Sequence, residues 1–158
     1  MLFAVALMSI TVAGESALWS FERQREREKE LIFAGDQIRT AIAAFYESTP
    51  GSVKRYPRTL ADLLEDTRHL PARRYLRRIY LDPMTGQAAW GLLSAPDGGI
   101  MGVHSASLKR PIKQAEFSED HVDFAGKLAY TGWQFVYRGE QVRYVPATMH
   151  QWVPEPAR

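Results

Sequence analysis

The chain has 158 residues, and its hydrophobic fraction of 46% is ordinary for a globular protein. Its 20 Lys and Arg residues nearly balance 18 Asp and Glu residues, so the net charge of +2 does not indicate a nucleic-acid partner. There is no cysteine, which excludes disulfides, thiolate nucleophiles and Cys-ligated zinc.

The first fifty residues predict one long helix. Residues 1–14 are almost wholly apolar, residues 22–30 carry eight charges of both signs, and residues 31–49 are amphipathic. No turn signal interrupts this stretch before Pro50-Gly51. A helix over residues 2–49 would be about 72 Å long, which is far more than a small domain needs.

Three interpretations of the apolar start compete. A signal peptide cut after Ala13 needs a basic beginning, but Met1 is followed directly by Leu2. A buried core helix cannot continue into the charged residues 22–30. A membrane anchor fits best, although the run is borderline against the roughly 20 residues of a full span. Glu15 would then lie at headgroup level or meet a basic partner in a multi-subunit bundle.

The amphipathic part of the stem predicts contact with a sheet. Leu31, Ile38, Ile42 and Phe45 recur at helical spacing, with Gly35 in the same stripe. The charged residues 22–30 predict a solvated rod, or one lined by other copies of itself.

Two short helices are expected after the stem. Thr59 would cap a helix over residues 60–66, with Asp62 three residues further on. Pro71 would begin a second helix. We expect that helix to carry four arginines on one face, which is either solvated or in contact with anionic headgroups or a neighbouring subunit: Arg73, Arg74, Arg77 and Arg78.

The second half of the chain predicts an antiparallel sheet. Turn signals lie at residues 82–86 (DPMTG) and 97–99 (DGG). Period-two patterns predict strands over residues 88–93, 100–104, 133–137 and 142–145. The fold class is therefore α+β, with a long N-terminal helix packed on a small antiparallel sheet and one or two short helices between. The predicted parts are residues 1–21 (transmembrane stem), 22–49 (soluble stem), 50–145 (domain) and 146–158 (irregular tail).

The sequence contains few candidates for a metal-binding or catalytic site. Glu119, Asp120 and Asp123 in the long loop over residues 105–131 are weak calcium candidates, because the spacing and glycine of an EF-hand are absent. A solvated loop is the default, and no other cofactor is expected. Ser105 and Ser107 near His104 resemble ordinary strand-end serines, so we expect no enzyme.

The order of parts resembles a type II secretion pseudopilin, most of all the major, G-type one, and its type IV pilin-like relatives. The residues that carry the resemblance are LFAVALMSITVAGESALW, RQREREKELIFAGDQIRTAIAAFYEST, YPRTLADLLED, YLRRIYLDPMTG, GGIMGVHS and GWQFVY. The family's basic leader and cleavage site are absent, as is the acidic residue that follows the cleavage. We therefore expect either a truncated start or an upstream start codon, with Met1 internal.

The resemblance implies a structural role. Subunits of this family, which are methylated after processing, wait in the bacterial inner membrane with the domain in the periplasm. An assembly platform there stacks them with copies of themselves or other pseudopilins into a filament. The helix residues implied in lipid and assembly contacts are Leu2, Phe3, Val5, Leu7, Ile10 and Glu15. The alternatives are a bitopic, membrane-anchored periplasmic binding or sensor module, and a processed secreted enzyme.

Overall fold

The protein is described by a computed structural model that covers the backbone of residues 2–139 and the side chains of residues 19–139. Helix α1 runs without interruption over Leu2–Glu47, as predicted to within two residues at its end. It is about 69 Å long at the rise of an α-helix. The helix ends where Pro50 and Gly51 follow, and Gly51 takes a positive φ of 86°.

A small antiparallel sheet packs on the second half of α1. Its strands are β1 (Gly91–Ser94), β2 (Ile100–His104) and β3 (Gln134–Val136), in the order β1-β2-β3. The predicted α+β layout of one long helix on an antiparallel sheet is confirmed. The predicted fourth strand over residues 142–145 and the tail over residues 146–158 lie outside the described residues.

The register places the core residues of the sheet against the helix. Val103 of β2 pairs with Phe135 of β3, and both side chains are buried. The turn between β1 and β2 was predicted from Asp97-Gly98-Gly99 and is confirmed. Ala95 N donates to Gly99 O at 2.7 Å, and Gly98 takes a φ of 81° that favours glycine.

The described residues beyond the stem contain short 3₁₀ helices, and one of them is the short helix expected after Thr59. The first spans Leu60–Leu63, and the Asp62 carboxylate accepts the backbone N–H of Thr59 at 3.0 Å, as the predicted capping role requires. Two more lie in the long loop, over Glu119–Phe124 and Tyr130–Gly132.

The predicted helix after Pro71 is wrong. Residues 71–80 contain no helix, and the Leu70–Pro71 peptide is cis. The backbone amides of this segment bond to the preceding 3₁₀ helix and its exit instead of to each other. Arg73 N donates to Asp66 O, and Leu76 N donates to Leu63 O at 2.9 Å. The four arginines are therefore exposed on an irregular segment and do not share a helix face.

Candidate assembly interface

The stem helix buries the predicted apolar stripe. Leu31, Ile38 and Ile42 are fully buried and Phe45 nearly so, as their spacing predicted. Gly35 lies in the same stripe because the ring of Phe135 leaves no room there. A Cβ on Gly35 would lie 2.4 Å from Phe135 Cδ2.

Glu28 corrects the expectation that residues 22–30 form a solvated rod. Its side chain is only 4% exposed, whereas most of its neighbours in that segment are exposed. The carboxylate accepts hydrogen bonds from Ile112 N at 2.6 Å and from the Tyr130 hydroxyl at 2.7 Å. Lys113 N donates as well, at 3.3 Å. The donors replace the water that burial removes from the carboxylate, so this buried charge ties the helix to the long loop.

Gln24 makes the same connection one turn earlier. Its amide Nε2 donates to the Tyr130 hydroxyl at 2.8 Å and to Arg110 O at 3.0 Å. Burial raises the pKa of Tyr130, and the hydrogen bond to Glu28 raises it further. The Tyr130 hydroxyl is therefore held in its neutral form, in which it can donate to Glu28.

A second polar contact joins the long loop to the helix. Asp36 Oδ1 lies 2.9 Å from His121 Nε2, while His121 Nδ1 lies 2.9 Å from Ser118 Oγ. Arg39 lies within 3.3 Å of Asp36 and 3.5 Å of Asp120. These contacts hold the Glu119–Phe124 helix against α1.

An ion pair between Arg68 and the buried Asp66 lies at the C-terminal end of α1. Arg68 donates to both carboxylate oxygens of Asp66 at 2.7 Å, and the side-chain accessibility of Asp66 is only 1%. Arg68 also donates to Phe45 O at 3.1 Å and to Thr49 Oγ1 at 3.0 Å. Arg68 thus satisfies a carbonyl of the last helical turn that has no partner within the helix. The hydrogen bonds from Arg68 lower the pKa of Asp66 to about 2.

Asp82 holds the predicted DPMTG turn to the sheet. It is fully buried and accepts from Met84 N at 2.9 Å, from Ser105 Oγ at 2.8 Å and from Ala106 N at 3.2 Å. The hydroxyl of Ser105 therefore donates to Asp82, and His104 Nδ1 contacts the carbonyl of Ser105 instead. This geometry is structural, and it does not bring His104 and Ser105 together as a base and a nucleophile.

Several predicted site residues have no described side chain. Leu2, Phe3, Val5, Leu7, Ile10 and Glu15 lie on the helical backbone, but their side chains are outside the described residues. The calcium candidates Glu119, Asp120 and Asp123 are exposed. Within residues 19–139, no group of three or more His, Asp or Glu side chains is arranged to hold a metal ion.

Three aromatic side chains of the stem are exposed, although they do not share one face of the helix. Trp19 is 66% exposed, and Phe21 and Phe33 are each 58% exposed. Phe33 meets only the edge of the Tyr80 ring, at a centroid distance of 6.0 Å. Single exposed apolar side chains are normal on a protein surface, so these three do not by themselves define an interface.

Sequence reasoning missed Gln24, Glu28, Asp66 and Asp82. Glu28 stands in a run of eight charges, and nothing in that run distinguishes it from Glu26 or Glu30. Its partners lie 84 to 102 residues further along the chain. Asp82 could have been suspected, because Asp before Pro commonly accepts backbone N–H groups in a turn.

No protein-family model, no curated protein and no solved structure matches this chain. Within residues 19–139, no helix has the length and apolarity that crossing a membrane requires.

Proposed function

We propose that this protein is a structural, pseudopilin-like subunit of a type II secretion or type IV pilus-like filament. Residues 1–21 anchor it in the bacterial inner membrane, and the domain lies in the periplasm. Assembly runs through the N-terminal helix, with copies of the chain or related subunits as partners and an inner-membrane platform as the site of assembly.

The observation that carries the proposal is the length of α1 compared with the part of it that the domain covers. Among the described side chains of the helix, burial begins at Glu28. Gln24, one turn earlier, also bonds to the domain, and the helix continues for 22 residues before Gln24, which is about 33 Å. The hydrocarbon core of a bilayer is about 30 Å thick, so that excess is long enough to serve an anchor and a subunit contact.

The contacts of Gln24 and Glu28 support a stem that is rigidly connected to the domain. An anchor that only tethers a domain needs no rigid connection to it. Here the helix crosses from the uncovered part into the domain without a break, and the Glu28 carboxylate with its three donors lies at that boundary. Such a rigid connection would let helix–helix contacts in a filament determine the position of every domain.

The stem is the part to test. Replacement of Leu7 by Asp places a charge in the apolar half of the helix, where lipid and then neighbouring copies are expected to cover it. We expect Leu7→Asp to abolish filament formation or secretion in cells that produce the full chain. Leu7→Ile, which keeps the same position apolar, is the matched control and should assemble normally.

The alternative function, a membrane-anchored periplasmic binding or sensor module, predicts the opposite result. It would tolerate exchange of residues 1–20 for an unrelated membrane span, whereas a filament subunit would not. Normal function of the Leu7→Asp variant and of the exchanged chain together would rule out assembly through the stem.

A further inference from the structure

A groove between the stem and the domain is lined by basic side chains and, among the described residues, by no acidic one. Its volume is about 480 Å³, within the range of roughly 300–1,000 Å³ that small-molecule sites occupy. Its cations are Arg23 and Arg27 of the stem and Lys109 of the loop that follows β2. Trp19 and Met84 supply apolar surface beside them. We call this site the stem groove.

The stem contributes its part of the groove from one side of the helix. Trp19, Arg23 and Arg27 follow one another at intervals of four residues, so their side chains are neighbours along α1. All three are exposed, and neither arginine forms an ion pair within residues 19–139. The two guanidinium groups are therefore available to an anion.

The domain holds the third cation next to the stem. The carbonyl of Arg110 accepts a hydrogen bond from Gln24 Nε2 at 3.0 Å, and the carbonyl of Lys109 accepts one from Tyr130 N at 3.2 Å. These bonds fix the backbone of the loop beside the helix. The Lys109 side chain is exposed and, like the two arginines, forms no ion pair among the described residues.

The groove lies at the depth of lipid headgroups when residues 1–21 cross the bilayer. Arg23 is two residues beyond Phe21 and Arg27 is six, which is about 3 Å and 9 Å along the helix. The headgroup layer on each side of the hydrocarbon core is about 5–7 Å thick. Helical side chains tilt toward the N-terminus, so Arg27 can extend back into that layer. Trp19 falls at the boundary of the hydrocarbon, where tryptophan is enriched.

We propose that the stem groove binds the headgroup of an anionic phospholipid while the subunit waits in the inner membrane. This inference rests on the proposed function, because that function places residues 1–21 in the bilayer. The guanidinium groups of Arg23 and Arg27 would bind the phosphate through paired N–H···O bonds, with the ammonium group of Lys109 beside it. Since two cations belong to the stem and one to the domain, the bound lipid would hold the domain on the membrane surface.

The other side of the stem shows why the lipid is expected at this groove. There Arg25 and Lys29 line a second groove together with Glu22, Glu26 and Glu28. Its cations are thus accompanied by carboxylates, and Lys29 pairs with Glu26 at 3.0 Å. The fold separates charges that balance in the sequence, so only the stem groove combines several cations with no acidic side chain among the described residues of these two sites.

Lipid selectivity tests the stem groove with the full chain. The protein would be reconstituted in bilayers of equal parts phosphatidylglycerol and phosphatidylcholine, and the lipids retained after mild extraction would be counted by native mass spectrometry. We expect phosphatidylglycerol to be retained about tenfold over phosphatidylcholine. Arg23→Gln with Arg27→Gln should remove this preference. Lys109→Gln should reduce it about threefold, although this residue lies in the domain.

Arg25→Gln with Lys29→Gln is the matched control. It removes two positive charges at nearly the same depth, but from the other side of the helix, and it should keep the preference. Equal loss in both double variants would mean that the net charge near the bilayer selects the lipid, which would overturn the proposal. All five substituted side chains are exposed, so each variant should melt at the temperature of the native chain.

Three further results would overturn the inference. Equal retention of the two lipids by the native chain would exclude a headgroup site. Inorganic phosphate that raises the melting temperature as much as short-chain phosphatidylglycerol does would assign the groove to free anions. Loss of assembly in the Arg23→Gln, Arg27→Gln chain, with its lipid preference unchanged, would assign the groove to a neighbouring copy. In each case the proposed function stands, whereas it fails if Leu7→Asp leaves assembly intact.

Discussion

The hydroxyl of Tyr130 donates to the buried carboxylate of Glu28 at 2.7 Å, across 102 residues of chain. Together with Ile112 N, this bond gives a charged side chain of the stem its partners in the domain. Gln24 bonds to the same loop one turn earlier, so the two side chains together fix the position of the domain along the helix.

Glu28→Ala should destabilise the protein more than any change at a neighbouring charge. It leaves the Tyr130 hydroxyl and the Ile112 amide buried without their acceptor, at a cost of about 2–3 kcal/mol. Urea unfolding of the detergent-solubilised full chain measures this. Glu30→Ala, at an exposed position two residues on, is the control and should change stability by less than about 0.5 kcal/mol. A comparable loss in both variants would mean that the Glu28 contacts do not form in solution.

Gly35→Ala should also be destabilising, although alanine is the better helix former by about 1 kcal/mol. The added Cβ would lie 2.4 Å from the Phe135 ring, which must then shift or force the helix away from the sheet. We expect a net loss of about 1–3 kcal/mol. Thermal unfolding checks it, and Phe135→Leu in the Gly35→Ala background should recover part of the loss. Stabilisation by Gly35→Ala would contradict the close approach of helix and sheet.

Low pH should weaken the ion pair between Asp66 and Arg68 at the end of α1 and so reduce the stability of the folded chain. The pKa of Asp66 is lowered from 3.8 to about 2 in the folded chain, mainly by the hydrogen bonds from Arg68. A lowered folded-state pKa contributes stability above the unfolded pKa, and that contribution is lost as the pH falls from about 4 to about 2. It amounts to roughly 2 kcal/mol.

The pH dependence can be assigned by mutation. The free energy of unfolding, measured from pH 6 to pH 2, should fall less steeply in Asp66→Asn than in the native chain. Identical slopes for the native and Asp66→Asn chains would show that Asp66 titrates normally.

Alkaline titration tests the contact between the helix end and the last described strand. The pKa of Tyr137 is raised to about 12, first by its hydrogen bond to Glu47 and then by burial. A raised folded-state pKa contributes stability below the unfolded value of 10, and that contribution is lost between about pH 10 and pH 12. The pKa values of Tyr46 and Tyr130 are raised as well, so several tyrosines should titrate late in absorbance at the tyrosinate band. The component that belongs to Tyr137 is the one that Glu47→Gln shifts to lower pH and Tyr137→Phe removes.

Much of the architecture could be predicted because it depends on local pattern. The continuous helix follows from fifty residues without a breaker, and its buried face from the spacing of Leu31, Ile38 and Ile42. Strand β2 and the turns at residues 82–86 and 97–99 follow from alternation and from glycine and proline. The expected helix after Pro71 failed, because amides of residues 73–76 bond to Leu63 and Asp66, which no periodicity encodes.

The sequence by itself thus determined a long amphipathic stem, an α+β domain with its main turns, and two runs of single-sign charge. Only the tertiary structure decided that Glu28 is buried while Glu26 and Glu30 are not. It also decided that the backbone of residues 73–76 bonds to Leu63 and Asp66 and does not form a helix. The reason is physical: helix and strand periodicity report neighbours within a few residues, whereas the environment of a buried charge depends on donors from distant parts of the chain that only folding brings together.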